Sequence, residues 1–199
     1  KTHTETQPGG LDRIDRNRDA APRRSGSFQA LVEQIQILDA HSQEGRNFIA
    51  GEQISIRVRA RCLEAVSDPT IGILIRDRLG NDVYGTNTYL QQLQVSACCS
   101  GDVLEAHFQM RLNLGPGEYN LTVALHTLDV HVYECFDWVD RALVFKVLPP
   151  LSGQCIGTAF LQPEVVYQRV ASAEQLESAG WEQALSSAEG LPRRPWYRH

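Results

Sequence analysis

Ile71-Gly72-Ile73-Leu74-Ile75-Arg76-Asp77-Arg78-Leu79-Gly80-Asn81-Asp82-Val83-Tyr84-Gly85-Thr86-Asn87-Thr88 decides the fold of this chain. The stretch opens with an apolar, β-branched run and turns through Gly80-Asn81-Asp82. It leaves on a second extended segment rich in Thr, Tyr and Val, the pattern of a β-hairpin with a somewhat long loop. Pro69, just before it, has no N–H for a ladder and so fits a strand's first residue or an edge. Ile71, Ile73 and Ile75 share one face at period two, and Gly72, Leu74 and Arg76 share the other.

The same period recurs on both sides of the hairpin. Phe28 to Leu38 carries apolar residues that change phase near Glu33, which predicts a bulge. Gln53 to Cys62 turns Ile54, Ile56, Val58 and Ala60 inward and Ser55, Arg57, Arg59 and Arg61 outward. Tyr89 to Gly101 has no period and reads as a loop. Val103 to Leu114 turns Leu104, Ala106, Phe108, Met110 and Leu112 inward and Glu105, His107, Gln109 and Arg111 outward. After the turn signal Gly115-Pro116-Gly117, Glu118 to Thr127 places Tyr119, Leu121, Val123 and Leu125 inward. Val130 to Asp140 reads as an irregular, aromatic-rich connection, and Ala142 to Leu148 as a strand with Leu143, Phe145 and Val147 inward. Seven such strands with almost no helical period predict an all-β chain, an antiparallel β-sandwich of immunoglobulin-like or jelly-roll type.

The flanks differ in character. Residues 1–27 are polar, with Gly9-Gly10, Pro22 and the charged run Asp12 to Asp19, and read as a flexible linker in which Leu11 to Asp19 could form a short helix. Pro149-Pro150-Leu151-Ser152-Gly153 interrupts the sandwich before one more strand, Ile156 to Leu161. The sandwich domain is bounded at 28–165, and residues 166–199 form an extension whose Ala-, Glu- and Gln-rich part, Ala171 to Ala188, suits a helix.

Composition excludes several function classes. A net charge of −5 argues against a nucleic-acid surface. No apolar run approaches the length that spans a bilayer, and no secretory signal peptide opens the chain, so no membrane insertion is expected. Lys1 at the start suggests a piece of a longer protein. The five cysteines, Cys62, Cys98, Cys99, Cys135 and Cys155, are odd in number and without regular spacing or a Cys-x-x-Cys pair. They read as free thiols of a reducing cytoplasm, with Cys62 a small core residue. No phosphate-binding loop, dinucleotide fingerprint, zinc-protease or nucleophile-elbow motif occurs. His126, Asp129 and His131 lack a third histidine and read as polar loop residues, so no metal and no cofactor is expected. No catalytic constellation stands out.

Beyond the hairpin, Gly115–Thr127 (GPGEYNLTVALHT), Phe136–Val147 (FDWVDRALVFKV) and Gly157–Val165 (GTAFLQPEV) complete a pattern of order and spacing. In that pattern the chain resembles the carbohydrate-binding C-terminal domain of Wzt-type proteins, the nucleotide-binding subunits of ABC transporters that export O-antigen polysaccharide. The resemblance implies a cytoplasmic module at the inner face of the inner membrane that recognises the finished, end-modified polysaccharide. It implies an ATPase domain upstream, tethered through residues 1–27, and a transmembrane transporter subunit as partner. It also implies a homodimer in which the terminal strand Ile156 to Leu161 crosses to the second subunit, for which Pro149-Pro150 supplies a stiff hinge. The turn in GPGEYNL resembles that before a late strand of immunoglobulin-like folds, which gives Tyr119 a structural role.

Two surfaces compete for the glycan. If the strands Gln53–Cys62 and Val103–Leu114 pair, Arg57, Arg59, His107, Gln109 and Arg111 share one outward face, joined by Gln34 and Gln36. The plain reading is a solvated sheet face. The functional one is a sugar platform, because planar bidentate donors and acceptors match hydroxyls. The arginine excess suits an acidic sugar or other anionic cap. Trp138, Tyr133, Tyr89 and Tyr84 could add aromatic faces for sugar C–H surfaces. The competing surface is the other sheet, with Arg76, Asn87, Asn120 and His126 outward. A dimerisation or scaffolding domain, a docking module for a glycan-assembly enzyme, and a hydrolase or transferase remain as alternatives.

Overall fold

The computed structural model describes residues 22–93, 96–128, 135–151 and 153–167. Nine strands follow one another: β1 Arg23–Ser25, β2 Ala30–Leu38, β3 Asn47–Ile49, β4 Gln53–Cys62, β5 Pro69–Asp77, β6 Asp82–Asn87, β7 Val103–Arg111, β8 Gly117–Thr127 and β9 Cys135–Leu148. They form a large sheet in the order β1-β9-β8-β5-β6, with the short β3 also on β9, and a small sheet in the order β2-β4-β7. Among the described strands only β3 and β9 pair in parallel. The chain divides into two compact units, Lys1–Leu161 and Gln162–His199; of the second, residues 162–167 are described and are exposed. Among the described residues no helix is long and apolar enough to cross a membrane.

Alternation in the sequence becomes burial in the sandwich. Ile54, Ile56, Val58, Ala60 and Cys62 on β4 face Ile71, Ile73 and Ile75 on β5 and Leu121, Val123 and Leu125 on β8, all buried in one core. The phase change in β2 is a bulge: the register on β4 shifts between Val32 and Gln34, leaving Glu33 unmatched. The hairpin closes as expected, with Pro69 opening β5. Its turn is held by the Asp77 carboxylate, which accepts from the Leu79 and Asn81 amides at 2.8 and 2.9 Å and from Asn81 Nδ2 at 2.8 Å. This Asx-type cradle is a turn-forming habit of Asp.

Tyr119 anchors the start of β8. It is 3 % exposed, donates its hydroxyl to the Gly115 carbonyl at 2.8 Å, and stacks on Phe145 at 5.8 Å. Tyr119→Phe would leave that carbonyl without its donor and is expected to cost about 1 kcal/mol in a urea unfolding curve, the ordinary net worth of one such bond. An unchanged midpoint would remove the anchoring role.

Four expectations need correction. Residues 23–25, assigned to the linker, form β1 and pair with Asp140, Val139 and Trp138 of β9. Residues 135–140, read as irregular, are strand. Their alternation was hidden because inward Asp137 is a buried charge, paired with Arg24. Ile156 to Leu161 is not a strand: it makes one isolated bridge, Ala159 to Leu114, and seats Phe160 in its own chain's core at 2 % exposure. This segment crosses the Gly115 turn so closely that a Cβ at Gly115 would stand 1.8 Å from the Gly157 carbonyl oxygen. Finally, Asn87, Asn120 and His126 keep the expected outward parity but are 5 %, 9 % and 0 % exposed. The large sheet's outer face is concave there.

Candidate binding groove

Pairing of β4 with β7 sets Arg57 opposite His107, Arg59 opposite Glu105, Ser55 opposite Gln109 and Gln53 opposite Arg111, while β2 sets Gln36 opposite Arg57. Arg57, Arg59, His107, Gln109, Arg111 and Gln36 therefore share the small sheet's outer face. Two carboxylates on the face engage part of its positive charge. Glu105 takes Arg57 at 2.7 Å and His107 at 2.9 Å, Glu33 takes Arg61 and, at 4.0 Å, Arg59, and Gln36 Nε2 donates to Glu44 at 2.8 Å. Beneath this ladder Gln36 Oε1, Ser55 Oγ and Arg57 Nε are buried without a hydrogen-bond partner. Trp138 stands on the other sheet, and Tyr133 lies outside the described residues.

The hydrogen bond from Arg57, then that from His107, draws the Glu105 carboxyl down from 4.5 to about 2. A depressed folded pKa means stability present above 4.5 and lost as pH falls through about 2. Glu105→Gln should therefore flatten the acid limb of the stability profile between those values, measured by thermal melts across pH. An unaltered limb would show the ladder to be energetically idle. The effect should be small, since exposed pairs are solvent-screened.

The concavity lies across β9, β8, β5 and β6. One row of outward positions reads Trp138, Ala124, Gly72, Asn87, and a later row reads Val144, Asn120, Arg76, Asp82. Between them Thr122 faces Leu74, which faces Gly85. Ala124 and Gly72, small residues between Trp138 and Asn87, open the first row, and the polar side chains Asn120, Arg76 and Asp82 line the later one, so the rows make a trough. Its apolar end is a hollow of about 130 Å³ lined by Leu74, Leu90, Ala124 and Trp138. The polar end is a cavity of about 910 Å³ lined by Arg76, Arg78, Asp82, Asn120, Asp140 and Arg141, within the size range of ligand sites.

A hydrogen-bonded cluster lines the polar end and reaches Thr122 of the apolar hollow. Opposite Thr122 the register of β9 slips, and Arg141 takes a positive φ of 50°. Asp140 shares the outward parity of Trp138, and the bulge adds Arg141 beside it at the polar end. Arg76 reaches Asp82 at 2.6 Å and Asp140 at 3.2 Å. Thr122 donates to Asp140 at 3.1 Å and accepts from the Arg141 amide at 3.3 Å and from Arg76 at 3.5 Å. Asn120 donates to the Asp77 carbonyl at 3.3 Å, and its Oδ1 is buried without a hydrogen-bond partner. The arrangement joins fixed bidentate donors and acceptors to an aromatic wall, which suits a polar ligand that also has apolar faces.

Sequence reading missed Thr122, Asp140 and Arg141. The available signal was the polar Asn120 and Thr122 on the outward parity of an otherwise apolar strand; the bulge itself left none. Of the three residues weighed as metal ligands, His126 is fully buried beside Gly72 on β5, and Asp129 and His131 lie outside the described residues. Among the described residues no group of three His, Cys, Asp or Glu could hold a metal ion.

The family model described as "Wzt C-terminal domain" matches residues 21–161. Among solved structures, the "Crystal structure of the C-terminal domain of wzt" aligns with a TM-score of 0.67 at 18 % identity, over 75 % of this chain and 90 % of that one. At such identity the likeness shows the fold. A beta-glucosidase from Listeria innocua aligns at a TM-score of 0.32 and 10 % identity, over 64 % of this chain and 16 % of that one, too weakly to carry an argument. No curated protein matches the chain.

Proposed function

The chain belongs to the Wzt C-terminal domain family, and we propose that it binds O-antigen polysaccharide for export by an ABC transporter. The family is transporter-associated and not an enzyme family, which favours binding over turnover. The observation that carries the reading is the trough on the large sheet. There Trp138 offers an indole face beside Ala124 and Gly72 at one end, while Arg76, Asp140 and Asn120 offer fixed donors and acceptors at the other. Sugars are both hydroxylated and apolar on their C–H faces, so a site with both halves fits them better than a charge ladder does. The reading includes an upstream ATPase domain and a transmembrane transporter subunit as partners, with the module on the cytoplasmic side of the inner membrane.

Titration calorimetry of the purified chain with O-polysaccharide from the source strain tests this. Saturable binding with Kd roughly micromolar to millimolar is expected, with no new reducing ends and no released acyl groups. Absence of binding at millimolar glycan would leave the scaffolding and docking alternatives; turnover would favour a hydrolase or transferase.

The small-sheet face is the competing site, favoured by its three adjacent buried polar atoms without partners. Arg59→Ala and Gln109→Ala are expected to bind like the parent; a tenfold loss in either, of the size of one binding hot spot, moves the site there.

Homodimerisation is part of the same proposal. Its support is the end of the first unit, where Leu151, Ile156 and Leu161 are 101 %, 104 % and 82 % exposed. Apolar side chains so exposed suit a partner surface. Sedimentation at micromolar concentration should give a dimer; a monomer there removes it.

A further inference from the structure

Among the described residues the chain enters the sandwich through β1, and β1 lies against a particular part of β9. Arg23 pairs with Asp140, Arg24 with Val139 and Ser25 with Trp138. These are the residues that carry the aromatic wall and a carboxylate of the trough. Three residues make a short ladder, so what holds β1 matters. The Arg24 guanidinium donates to both carboxylate oxygens of Asp137, from Nε at 3.0 Å and from a terminal nitrogen. The same nitrogen donates to the Val32 carbonyl at 2.9 Å. Asp137 is fully buried and also accepts from the Val32 amide of β2 at 2.8 Å. One ion pair thus ties β1, β9 and β2 together across both sheets.

The chain beyond Arg24 continues the wrap. Gly26, at φ 149°, passes so close to β9 that a Cβ there would stand 2.3 Å from the Phe136 carbonyl oxygen. The Ser27 and Phe28 amides then donate to the Cys135 and Phe136 carbonyls at 2.9 and 2.8 Å. Without Arg24 the buried Asp137 keeps the Val32 amide but loses its counter-charge, which is strongly destabilising. Trp138, next in sequence to Asp137, is the β9 partner of Ser25.

We propose that the Arg24–Asp137 pair is a positioning device for the trough, so that docking of β1 and occupation of the trough by glycan are coupled equilibria. The coupling rests on the trough being the glycan site. Displacement of β1 then reaches the Trp138–Asp140 wall directly, and glycan in the trough holds β1 in place. Coupling of this kind is reciprocal: whatever factor β1 docking adds to glycan affinity, glycan adds to β1 docking.

The test uses the full chain carrying Trp181→Phe and Trp196→Phe, so that emission reports Trp138 alone. Arg24→Ala removes the pair, Arg24→Lys keeps the charge without the fork, and Gly26→Ala displaces β1 without touching a charge. Expected are red-shifted, more readily quenched Trp138 emission in Arg24→Ala and Gly26→Ala, and affinity for the source strain's O-polysaccharide reduced about tenfold, within the usual span of coupling between sites. Arg24→Lys should restore part of both. In the parent, saturating polysaccharide should slow hydrogen exchange at the Ser27 and Phe28 amides. That arm decides the matter even where a variant fails to fold. Unchanged exchange at those amides under saturation overturns the coupling, as does parental affinity and emission in both Arg24→Ala and Gly26→Ala. The two failures are separable: Trp138→Ala binding like the parent sinks the trough and the coupling with it. Trp138→Ala losing binding while the β1 variants keep it sinks the coupling alone.

Discussion

Trp138→Ala is expected to weaken O-polysaccharide binding by about tenfold to a hundredfold while the fold survives, the size of effect that a central aromatic anchor commonly has. Trp138 projects outward from β9 beside Ala124 and Gly72, so its ring forms a wall over a floor with little side chain of its own. A sugar ring laid on that floor has the indole as its broad apolar contact. Aromatic contacts of this kind stabilise through area and orientation together. Because Trp138 faces away from the core between the sheets, truncation removes a binding face and leaves the central packing in place. Calorimetry against the parent chain, with circular dichroism as the check on fold, reads the outcome. Affinity within about twofold of the parent, below what any hot spot costs, would exclude Trp138 from the site. Asp140→Asn is the companion variant at the polar end. It keeps the shape and weakens the charge that holds Arg76 and Thr122 in position, so a smaller loss is expected.

Phe145→Ala should have the largest effect on stability, about 3–5 kcal/mol, the usual cost of emptying a buried phenylalanine site. Phe145 is 1 % exposed and stacks on Tyr119 at 5.8 Å, with the edge of Phe48 at 6.3 Å. The three rings join β8, β9 and the short β3, so the cavity opens where three strands meet. Native domains are stable by only about 5–15 kcal/mol, so the loss is a large part of the whole. Urea unfolding should show a lower midpoint at an unchanged slope. A loss near 1 kcal/mol would mean that neighbouring side chains collapse into the space and that the cluster is not the keystone of this end of the sandwich.

Much of the sandwich was legible in the residues. Side chains alternate across a strand by local geometry alone. The inward residues of Gln53–Cys62 and Glu118–Thr127, the Glu33 bulge and the Gly80-Asn81 turn could therefore be read from short windows, while the role of Tyr119 came from a resemblance in its turn. The shared outer face of β4 and β7 was legible for the same reason, once the two strands were taken as partners.

What escaped depended on contacts between distant residues. Glu105 engages Arg57, and the bulged Glu33 engages Arg61, only because the packing of β2, β4 and β7 brings these distant residues side by side. Asp137 reads as a loop residue until Arg24, 113 positions away, is seen to pair with it. The trough needs Gly72, Gly85 and Ala124 to meet beside Trp138, and the order of β5, β8 and β9 to bring Arg76 to Asp140. Phe160 belongs to the core only because the Gly115 turn leaves room for the segment that carries it. Local periodicity determines which way a side chain points. Register and close approach, set by the packing of the whole sandwich, decided what it meets there.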